Sequence, residues 1–376
     1  MNFLIIGHVV HKVRNGSWYA YGPYVREMNL WIAQVDRVTL LVPVDKGLQP
    51  DPIDLAYEHS SIHVVEVPAF NTLGLKQILN TVFKLPILWS TTWKEMKKAN
   101  HIHLRCPGNM GLLGAMVQIF FPKKIKTAKY AGNWDRSAHK PFSYRIQQYL
   151  LSHPVLSKNM KVLVYGEWED ETKNVFPFFT ASYSNKDILP FFLRAIAPSL
   201  PVNLIFAGTL SSGKQPILSV ETAHQLIKKG YKVSLDFYGE GPERSRIEEY
   251  ISQNGLTKEV TLHGNVPAEV LKLAYQKAHF LIFISESEGW PKVVAEAMFW
   301  GCIPLTSAVS CVPQMLGRGE RGDLVQSSPK QVGDLIETYL NQPEQYHQKS
   351  RKAMEWSNQF TLERFQEEIK SLLIEG

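Results

Sequence analysis

The stretch HFLIFISESEGWPKVVAEAMFWGCIPLTS, from His279 to Ser307, decides the fold. It begins with a short apolar run, HFLIFIS, which is followed by a polar turn, a helical segment from Lys292 to Met298 and a second apolar run, CIPLTS. Two buried strands joined through a helix form a parallel pair, because a parallel connection needs a crossover of this length. The stretch therefore predicts a β–α–β unit.

The same alternation of apolar runs and mixed segments extends over the chain in two passes. In the first pass the apolar runs are NFLIIG, RVTLLVPV, SIHVVEVPAF, HIHLRC, KIKTAKYAG and KVLVYG. In the second pass they are VNLIFAG, KVSLDFYG, VTLHG, HFLIFIS and CIPLTS, with helical stretches such as SVETAHQLIKKG, PERSRIEEYISQNG and AEVLKLAYQKA between them. Such alternation is typical of parallel sheets covered by helices on both faces. We predict an α/β protein of two doubly wound Rossmann-like domains facing a cleft.

A proline-rich segment from Asn174 to Pro201 separates the two passes. It holds four prolines and no clear period, which favours an inter-domain connection. We therefore predict one domain over residues 1–190 and a second over 191–360. Residues 361–376 have apolar residues at the spacing of one helix face, and they predict a C-terminal helix. Gly230 and Gly255 stand where the caps of two helices are expected.

Length and composition exclude several classes of protein. The 376 residues are 44% hydrophobic and 20% charged, as in a globular protein large enough for two cores. The apolar start MNFLIIGHVV has no basic residues before it and predicts a buried strand instead of a signal peptide. No run of about 18 apolar residues occurs. The three cysteines form no CxxC pair, so neither a zinc site nor a disulfide framework is expected. We expect a cytoplasmic location, where cysteines stay reduced.

Positive charge is concentrated in the first half of the chain. Residues 1–184 hold 21 Lys and Arg against 13 Asp and Glu, a balance of +8, while the remainder holds 20 against 22, a balance of −2. This asymmetry predicts an anionic partner such as a lipid surface or a polyphosphate-linked acceptor, or else a basic face that is simply solvated. No zinc-finger, helix-turn-helix or RNP signature accompanies the charge, so nucleic acid is not an expected partner.

Two glutamates are the candidate ligand-binding residues of this stretch. Glu288 lies in the turn and Glu296 eight residues later on the helix. A helix start beside a glycine turn offers free N–H groups and the positive end of the helix dipole to an anion. Carboxylates nearby can accept hydrogen bonds from sugar or ribose hydroxyls. The spacing alone favours a simpler interpretation, in which the glutamate of the first turn serves the helix dipole and the other is solvated.

The stretch also resembles the E-x7-E signature of family 4 retaining glycosyltransferases, which is close to S-x-x-EGFP-x-V-x-x-EAM-x-x-G-x-P-V. In that family the first glutamate holds donor-sugar hydroxyls and the second holds the ribose, roles that fall here on Glu288 and Glu296. The turn between them holds the sugar and the diphosphate, and its residues are Gly289, Trp290, Pro291, Lys292 and Val293. Trp290 stands where phenylalanine is usual. The resemblance implies the GT-B fold, with the C-terminal helix packing back toward the first domain.

Three further matches occur in the family's order. Gly208 and Thr209, with Lys214 after them, resemble the loop that grips the donor diphosphate, where a cation would stabilise the charge on the leaving group. The family usually has arginine at the position of Thr209, so that either Lys214 works with another cation such as Lys292 or Arg321, or the activity is weakened. The other two matches are the YGEGP turn, with Gly239, and the LHGNV strand end, with Gly264 and Val266.

The N-terminal half carries weaker matches. Gly16 is the best candidate for a loop glycine that approaches the donor, and HIHLRC has the H-x-H that often ends a strand in this family. His103, Arg105 and Asn133 are the predicted acceptor-side residues. The histidine that many members carry after the next strand is missing from residues 129–134, where Lys129 and Tyr130 are further candidates.

The resemblance implies transfer of a sugar from a UDP- or GDP-sugar to a glycan or lipid-linked acceptor, with retention of anomeric configuration. No DxD motif occurs, so neither a metal nor another cofactor is expected. Two alternatives stay open. One is a GT-B nucleotide-sugar epimerase, and the other, suggested by Thr209 and the missing histidine, is a non-catalytic donor-binding partner of a glycan assembly complex. Two basic and aromatic segments, residues 88–98 and 120–126, suggest peripheral contact with an anionic membrane, although ordinary surface helices would look the same.

Overall fold

A computed structural model of the protein describes residues 1–51, 53–68, 75–169 and 171–374, without the side chains of 75–82 and 374. The last two residues of the predicted strand SIHVVEVPAF and the last two of the predicted C-terminal helix lie outside the described residues. The chain divides into two compact units. The N-terminal unit is Met1–Phe179 with Phe365–Gly376, and the C-terminal unit is Thr180–Arg364.

The elements before Thr180 are β1 (Asn2–Ile6), β2 (Lys12–Arg14), β3 (Ser17–Tyr21), α1 (Gly22–Ile32), β4 (Arg37–Pro43), β5 (Asp54–Ala56), β6 (Ile62–Val67), α2 (Leu75–Lys98), β7 (His101–Cys106), α3 (Asn109–Val117), β8 (Ile125–Tyr130), α4 (Phe142–Ser152), β9 (Met160–Tyr165) and β10 (Val175–Phe178). The later elements are β11 (Val202–Ala207), α5 (Pro216–Lys228), β12 (Val233–Tyr238), α6 (Arg244–Gln253), β13 (Val260–Leu262), α7 (Ala268–Lys277), β14 (Phe280–Phe283), α8 (Lys292–Phe299), β15 (Ile303–Thr306), α9 (Val312–Met315), β16 (Asp323–Leu324), α10 (Pro329–Asn341), α11 (Pro343–Ser357) and α12 (Leu362–Ile374).

The N-terminal unit is built on a parallel sheet with the strand order β10-β9-β8-β7-β1-β4-β6. The central strand β1 is apolar after Asn2, and every side chain of β7 is buried, including those of His101, His103 and Arg105. Burial on both faces is expected of a parallel sheet that helices cover on each side. Each apolar run predicted for this half coincides with one of these strands. The order reverses between β1 and β7, so the loops that follow these two strands are neighbours at the carboxyl edge of the sheet.

The prediction of an inter-domain connection over Asn174 to Pro201 is wrong for the first part of that segment. Val175–Phe178 forms β10, which pairs in parallel with β9 at the edge of the N-terminal sheet. Pro177 lacks an N–H group, but an edge strand has one side on which no donor is needed. Proline therefore marked the edge of a sheet here and not the end of the domain.

A small antiparallel sheet of β2, β3 and β5 occupies the loop after β1. Asn15 and Gly16 form the two-residue turn of its hairpin, and both have positive φ, 50° and 77°. Asn-Gly is the sequence preferred at such turns, because both residues tolerate this backbone conformation. The segment after β1 was predicted to be a loop, and the hairpin of β2 and β3 was not predicted.

The C-terminal unit has a parallel sheet with the strand order β13-β12-β11-β14-β15-β16. The order reverses between β11 and β14, which pair through Leu204 with Phe280 and Ile205 with Leu281. Loops that follow these two strands therefore meet at the carboxyl edge, where open α/β sheets bind their ligands. Gly230 and Gly255 end α5 and α6 with φ of 92° and 65°, as the sequence predicted.

The C-terminal helix α12 spans the boundary between the units in sequence. Its predicted apolar face is buried, with Phe365, Ile369 and Leu372 at 1%, 0% and 8% exposure. Within the N-terminal unit, the Phe365 ring lies 5.4 Å from that of Phe178 and 5.6 Å from that of Phe179.

Candidate active site

Glycines end three neighbouring strands of the C-terminal sheet. The N–H of Gly208, after β11, donates to the Tyr238 carbonyl at 2.9 Å, and the N–H of Gly239, after β12, donates to the Gly264 carbonyl at 2.8 Å. A Cβ on Gly239 would overlap the Gly208 carbonyl oxygen, and one on Gly264 would lie 2.6 Å from Glu240 Oε1. The three predicted glycines therefore lie in a row with their backbones close together.

Lys214 and Glu288 meet at the reversal point of this sheet. Lys214 Nζ donates to Glu288 Oε1 at 3.0 Å although 74 residues separate them, because their loops follow the adjacent strands β11 and β14. Ser285 Oγ donates to the same oxygen at 2.7 Å. Among the described residues, none donates to Glu288 Oε2, so this oxygen remains able to accept a hydrogen bond from a ligand hydroxyl.

Backbone contacts hold the two loops together. The Glu286 N–H donates to the Gly213 carbonyl at 2.9 Å, which joins the turn after β14 to the Lys214 loop. Ser285 exchanges two hydrogen bonds with Ser307: its N–H donates to Ser307 Oγ, and Ser307 Oγ donates to its carbonyl. Ser285 was not among the predicted site residues, yet this buried residue orients the Glu288 carboxylate. The carboxylate and ammonium groups are thus fixed before any ligand binds.

The helix α8 begins where the turn ends. Pro291 is its N-cap and is buried, and among the described residues no side chain caps the helix. The N–H groups of a first helical turn lack partners within the helix, and the dipole is positive there. Lys292 and Val293 open the helix and are half-buried, and Gly289 lies just before it. An anion at this end would be met by backbone donors and by the Lys292 charge.

Glu296 points to a different part of the C-terminal unit. Its Oε1 accepts a hydrogen bond from Ser182 Oγ at 2.6 Å, and Tyr275 OH lies 3.5 Å from its Oε2. It lines a small pocket together with Ser182, Tyr183, Trp290 and Lys292. A ribose bound by Glu296 would have to share or replace the Ser182 hydroxyl. Ser182 lies 114 residues away in sequence, and no pattern in the sequence pointed to it.

Trp290 anchors the turn to the end of α11. Its ring lies 6.1 Å from that of Trp356 and 5.6 Å from that of Phe360. Arg321 packs against the Trp356 ring, with its guanidinium 4.8 Å from the ring centre. It also donates hydrogen bonds to the carbonyls of Gln314 and Met315. These contacts engage the Arg321 guanidinium.

The structure therefore assembles part of the predicted donor site. Lys214, Glu288 and Gly208 lie together, and Lys292 and Glu296 share a neighbouring pocket on α8. Thr209 is exposed after Gly208 and brings no charge. Since Arg321 is engaged elsewhere, Lys292 remains the candidate for the second cation. Val266 is half-buried between Gly264 and α7, and the neighbouring His263 stacks on Tyr238 and shares a hydrogen bond with Asp236 at 2.7 Å.

His103 does not lie where the sequence analysis placed it. The strand β7 continues to Cys106, so His103 is in mid-strand and has no exposed surface. Its Nδ1 shares a hydrogen bond with Thr127 Oγ1 at 2.8 Å, and its ring lies 4.4 Å from that of Trp31. Burial, with smaller contributions from Arg105 and other nearby cationic groups, holds the pKa of His103 well below its ordinary value. This histidine is a neutral core residue and is out of reach of an acceptor.

Arg105 and Asn133 lie nearer the carboxyl edge of the N-terminal sheet. Arg105 is buried, pairs with Glu27 at 2.5 Å and lies beside Gly7. Asn133 is half-buried after β8 and accepts the Asp135 N–H at 2.9 Å. Lys129 and Tyr130, the further candidates, are fully buried, with Lys129 Nζ over the Tyr165 ring at 4.0 Å. Arg105 and Asn133 therefore remain predicted acceptor-side residues, whereas Lys129 and Tyr130 pack in the core of the N-terminal unit.

The sequence patterns did not point to two residues at this edge, His8 and Gly108. A Cβ on Gly108, after β7, would lie 2.5 Å from His8 Nδ1, after β1. The exposed His8 therefore lies against the neighbouring loop at the point where the strand order reverses.

Gly16, predicted to approach the donor, lies at the exposed hairpin turn, where a Cβ would meet nothing within 4 Å. The turn explains its glycine without a ligand.

The C-terminal half of the chain matches a known protein family. Residues 197–356 match the family described as "Glycosyl transferases group 1". Over 154 residues the chain is 28% identical to a putative colanic acid biosynthesis glycosyltransferase, WcaL, of Salmonella typhimurium. This alignment covers 39% of the chain and 38% of the relative's own length.

Solved structures match the whole chain in fold. A TM-score of 0.67 with 13% identity relates it to Alr3699/HepE of Anabaena in complex with UDP and glucose, covering 100% of both chains. A TM-score of 0.66 with 17% identity relates it to sucrose-phosphate synthase from Thermosynechococcus elongatus, covering 100% of this chain and 98% of that one. The predicted fold class is confirmed: the chain has the GT-B fold of two Rossmann-like α/β domains, and its residues 197–356 match the group 1 glycosyl transferases.

Proposed function

We propose that this protein is a retaining glycosyltransferase. It transfers a sugar from a UDP- or GDP-sugar to a hydroxyl of a glycan or lipid-linked acceptor, in the synthesis of a polysaccharide or cell-surface glycan. The observation that carries the proposal is the pair of Lys214 and Glu288 beside the row of strand-end glycines. The family match over residues 197–356 and the relative named for colanic acid biosynthesis support the same reaction class.

The pair suits a donor in which a sugar is joined to a diphosphate. Glu288 has one oxygen held by Lys214 and Ser285 and the other able to accept a sugar hydroxyl. Lys214 Nζ lies close to Gly208, at the edge of the glycine row where a diphosphate could approach the backbone. When the bond between the anomeric carbon and the phosphate oxygen breaks, the electron pair leaves with the diphosphate. Lys214 stabilises this negative charge, aided by Lys292 and the N–H groups that open α8.

The acceptor hydroxyl then bonds to the anomeric carbon on the face that the diphosphate leaves, so the configuration is retained. The hydroxyl proton passes to the departing phosphate oxygen, which lies on that same face. The groups that do this work bind and neutralise charge, and the proposal requires no covalent bond to the protein. Glu288 orients the donor sugar and Glu296 the ribose. Neither a metal nor another cofactor takes part in the proposed reaction.

One observation favours a second function, that of a non-catalytic donor-binding partner in a glycan assembly complex. Thr209 is exposed and neutral at the position where the family has arginine, which leaves the leaving group with one cation fewer. The two functions differ in turnover. A transferase releases nucleoside diphosphate when acceptor is added, whereas a binding partner retains the intact donor. A nucleotide-sugar epimerase would return an altered donor without any acceptor.

The first experiment identifies the donor. A ligand that binds only the folded state raises the melting temperature by mass action, so UDP- and GDP-sugars can be ranked by thermal shift. The best donor is then incubated with glycan and lipid-linked acceptors, and the anomeric configuration of the product is read by NMR. A donor that binds and never turns over with any acceptor would reject the transferase, and an inverted product would reject retention.

The second experiment tests Lys214. We expect Lys214→Met to lower kcat about 100-fold or more, because a positioned charge on the leaving group acts in the transition state. Donor affinity and melting temperature should change much less. Lys277→Met is the matched control, since Lys277 is exposed at the end of α7 in the same unit. Equal rates for both variants would remove Lys214 from the mechanism.

A further inference from the structure

One part of the N-terminal unit is almost free of acidic residues. From Val67 to Trp134 the sequence has ten Lys and Arg and a single acid, Glu95. Glu95 is buried and its carboxylate pairs with Lys98 at 2.6 Å. The positive charge noted for the first half of the chain is therefore concentrated in this segment, with nothing acidic on its surface to balance it.

Aromatic residues lie on the same segment. The Trp93 ring lies 5.3 Å from that of Phe120 and 4.9 Å from that of Phe121, and the Trp89 ring lies 6.0 Å from that of Phe120. We call these four residues the aromatic cluster. Phe120 is 56% exposed and Trp93 36% exposed. Exposed apolar groups gathered in one place indicate an interaction surface, since each would be more stable out of water.

A basic cavity lies at the amino ends of β8, β9 and β10. It has a volume of about 780 Å³. Four lysines line it, Lys126, Lys158, Lys161 and Lys173, and its described lining contains no acidic residue. Apolar side chains complete the wall, among them Val155, which is 75% exposed. A cavity with these walls fits an anionic group attached to an apolar body.

The aromatic cluster and the basic cavity belong to one face. Lys126 in the cavity donates from Nζ to the Phe121 carbonyl at 3.0 Å. Asn159, also in the cavity lining, donates from Nδ2 to the Pro122 carbonyl at 3.1 Å. Gln118, beside the cluster, donates from Nε2 to the Leu156 carbonyl at 3.0 Å. The turn between Phe121 and Lys126 therefore joins the aromatic rings to the lysines.

We propose that this face binds the surface of an anionic phospholipid bilayer, with the aromatic cluster in the headgroup boundary and a lipid phosphate in the basic cavity. Tryptophan and phenylalanine with flanking lysines suit that boundary, where one end of a side chain is apolar and the other wet. Lysines close to an anionic leaflet add electrostatic attraction. A nucleic-acid duplex would contact the lysines and leave the exposed rings of the aromatic cluster and the Val155 side chain without a role. The inference does not rest on the proposed transfer reaction.

The test uses the full chain and sucrose-loaded vesicles, with bound protein measured after sedimentation. Vesicles of phosphatidylglycerol and phosphatidylcholine in equal parts are compared with vesicles of phosphatidylcholine alone. We expect binding to the mixed vesicles and little to the neutral ones. Trp93→Ser combined with Phe120→Ser, and separately Lys158→Gln combined with Lys173→Gln, should each weaken binding about tenfold or more.

Matched controls separate this face from general properties of the surface. Phe142→Ser removes an aromatic ring that is 74% exposed at the opposite end of α4 from the cavity. Lys277→Gln combined with Lys330→Gln removes two exposed lysines of the C-terminal unit. Both controls should bind vesicles as the unchanged protein does. Melting temperatures of all variants show whether any loss reflects unfolding.

Four results would overturn the proposal. The first is that the unchanged protein stays in the supernatant with anionic vesicles, and the second is that the control variants lose as much binding as the test variants. The third is that glycerol phosphate raises the melting temperature of a protein that does not bind vesicles, because the cavity would then be a site for a free anion. The fourth is binding of a short DNA duplex in place of vesicles, which would assign the lysines to nucleic acid. None of these results bears on the sugar-transfer proposal.

Discussion

Gly239 lies where a side chain has no room. Its φ is 134°, and a Cβ would overlap the carbonyl oxygen of Gly208, which is backbone and cannot rotate away. We expect Gly239→Ala to lower the free energy of unfolding by about 3 kcal/mol or more, since both the backbone conformation and the contact are unfavourable. Urea unfolding followed by circular dichroism measures this.

Gly255→Ala is the matched control for this prediction. Gly255 also has a positive φ, 65°, but a Cβ there would meet no atom within 4 Å. The left-handed conformation alone should cost about 1–2 kcal/mol. Equal losses at the two positions would show that the contact with Gly208 does not matter.

The hydrogen bond between Ser182 and Glu296 leads to a prediction about donor affinity. If Glu296 holds the ribose, a bound donor must compete with the Ser182 hydroxyl, which lies 2.6 Å from Oε1. Ser182→Ala should then raise donor affinity about fivefold, the worth of one ordinary hydrogen bond, while Glu296→Gln should lower it. Isothermal titration with the best donor measures both. Full affinity in Glu296→Gln would end the ribose assignment.

At the residue scale, the family signature located the parts of the site that are close in sequence. Glu288, Glu296 and the glycines could be named because each belongs to a short motif. Ser182 could not be named, because its contact with Glu296 exists only after the segment before β11 has folded against α8. Arg321 was a reasonable second cation by charge, but only the structure shows its guanidinium held by two carbonyls and a tryptophan ring.

At the element scale, the hairpin of β2 and β3 is where turn chemistry was overlooked. Its turn needs positive φ at both Asn15 and Gly16. We expect Gly16→Asn to keep the hairpin, because asparagine tolerates this conformation, whereas Gly16→Val should destabilise it by about 1–2 kcal/mol. Hydrogen exchange of the β2 and β3 amides measures the difference. Equal protection in both variants would contradict the turn's role.

The same pair of variants addresses the donor role predicted for Gly16. A glycine that admits the donor cannot be replaced by asparagine without a loss of donor affinity, even when the hairpin is kept. Titration of Gly16→Asn with the best donor therefore separates the two explanations. Unchanged affinity would leave the turn as the reason for glycine at this position.

The misplaced His103 shows a limit of strand patterns. His101, His103 and Arg105 alternate along β7 and lie on one face of the sheet. Polar residues on such a face suggest an exposed strand end. Instead, Thr127 on β8 provides a hydroxyl to both histidines, at 2.9 Å and 2.8 Å, and allows them to be buried as neutral rings.

At the scale of the whole molecule, the fold was predictable because strands and helices alternate with little interruption. Most of the buried parallel strands are short, largely apolar runs, and they stand out from the amphipathic helices in both halves of the chain. The end of the first sheet was not predictable. Prolines in residues 174–201 resembled a connection, and only pairing with β9 identifies Val175–Phe178 as an edge strand.

Buried histidines are unevenly distributed between the two units, and this predicts their order of acid unfolding. In the N-terminal unit, burial lowers the pKa of His11 and His101 to about 4 and holds the pKa of His103 well below its ordinary value. In the C-terminal unit, burial lowers the pKa of His279 to about 4 and also lowers the pKa of His224. A histidine whose folded pKa is depressed stabilises the fold above its ordinary pKa of 6.5, and this contribution is lost as the pH falls toward 4. Each histidine whose pKa falls to about 4 contributes on the order of 3 kcal/mol.

We therefore expect the N-terminal unit to open first on acidification between these two pH values. Brief proteolysis during acid titration, with mass spectrometry of the surviving fragment, should recover the C-terminal unit. His101→Gln should shift the opening of the N-terminal unit to lower pH, because the unfolded chain then gains one proton fewer, and glutamine can still hydrogen-bond Thr127. His139→Gln, at an exposed position of the same unit, is the control. Earlier loss of the C-terminal unit, or an equal shift in both variants, would show that other groups control acid unfolding.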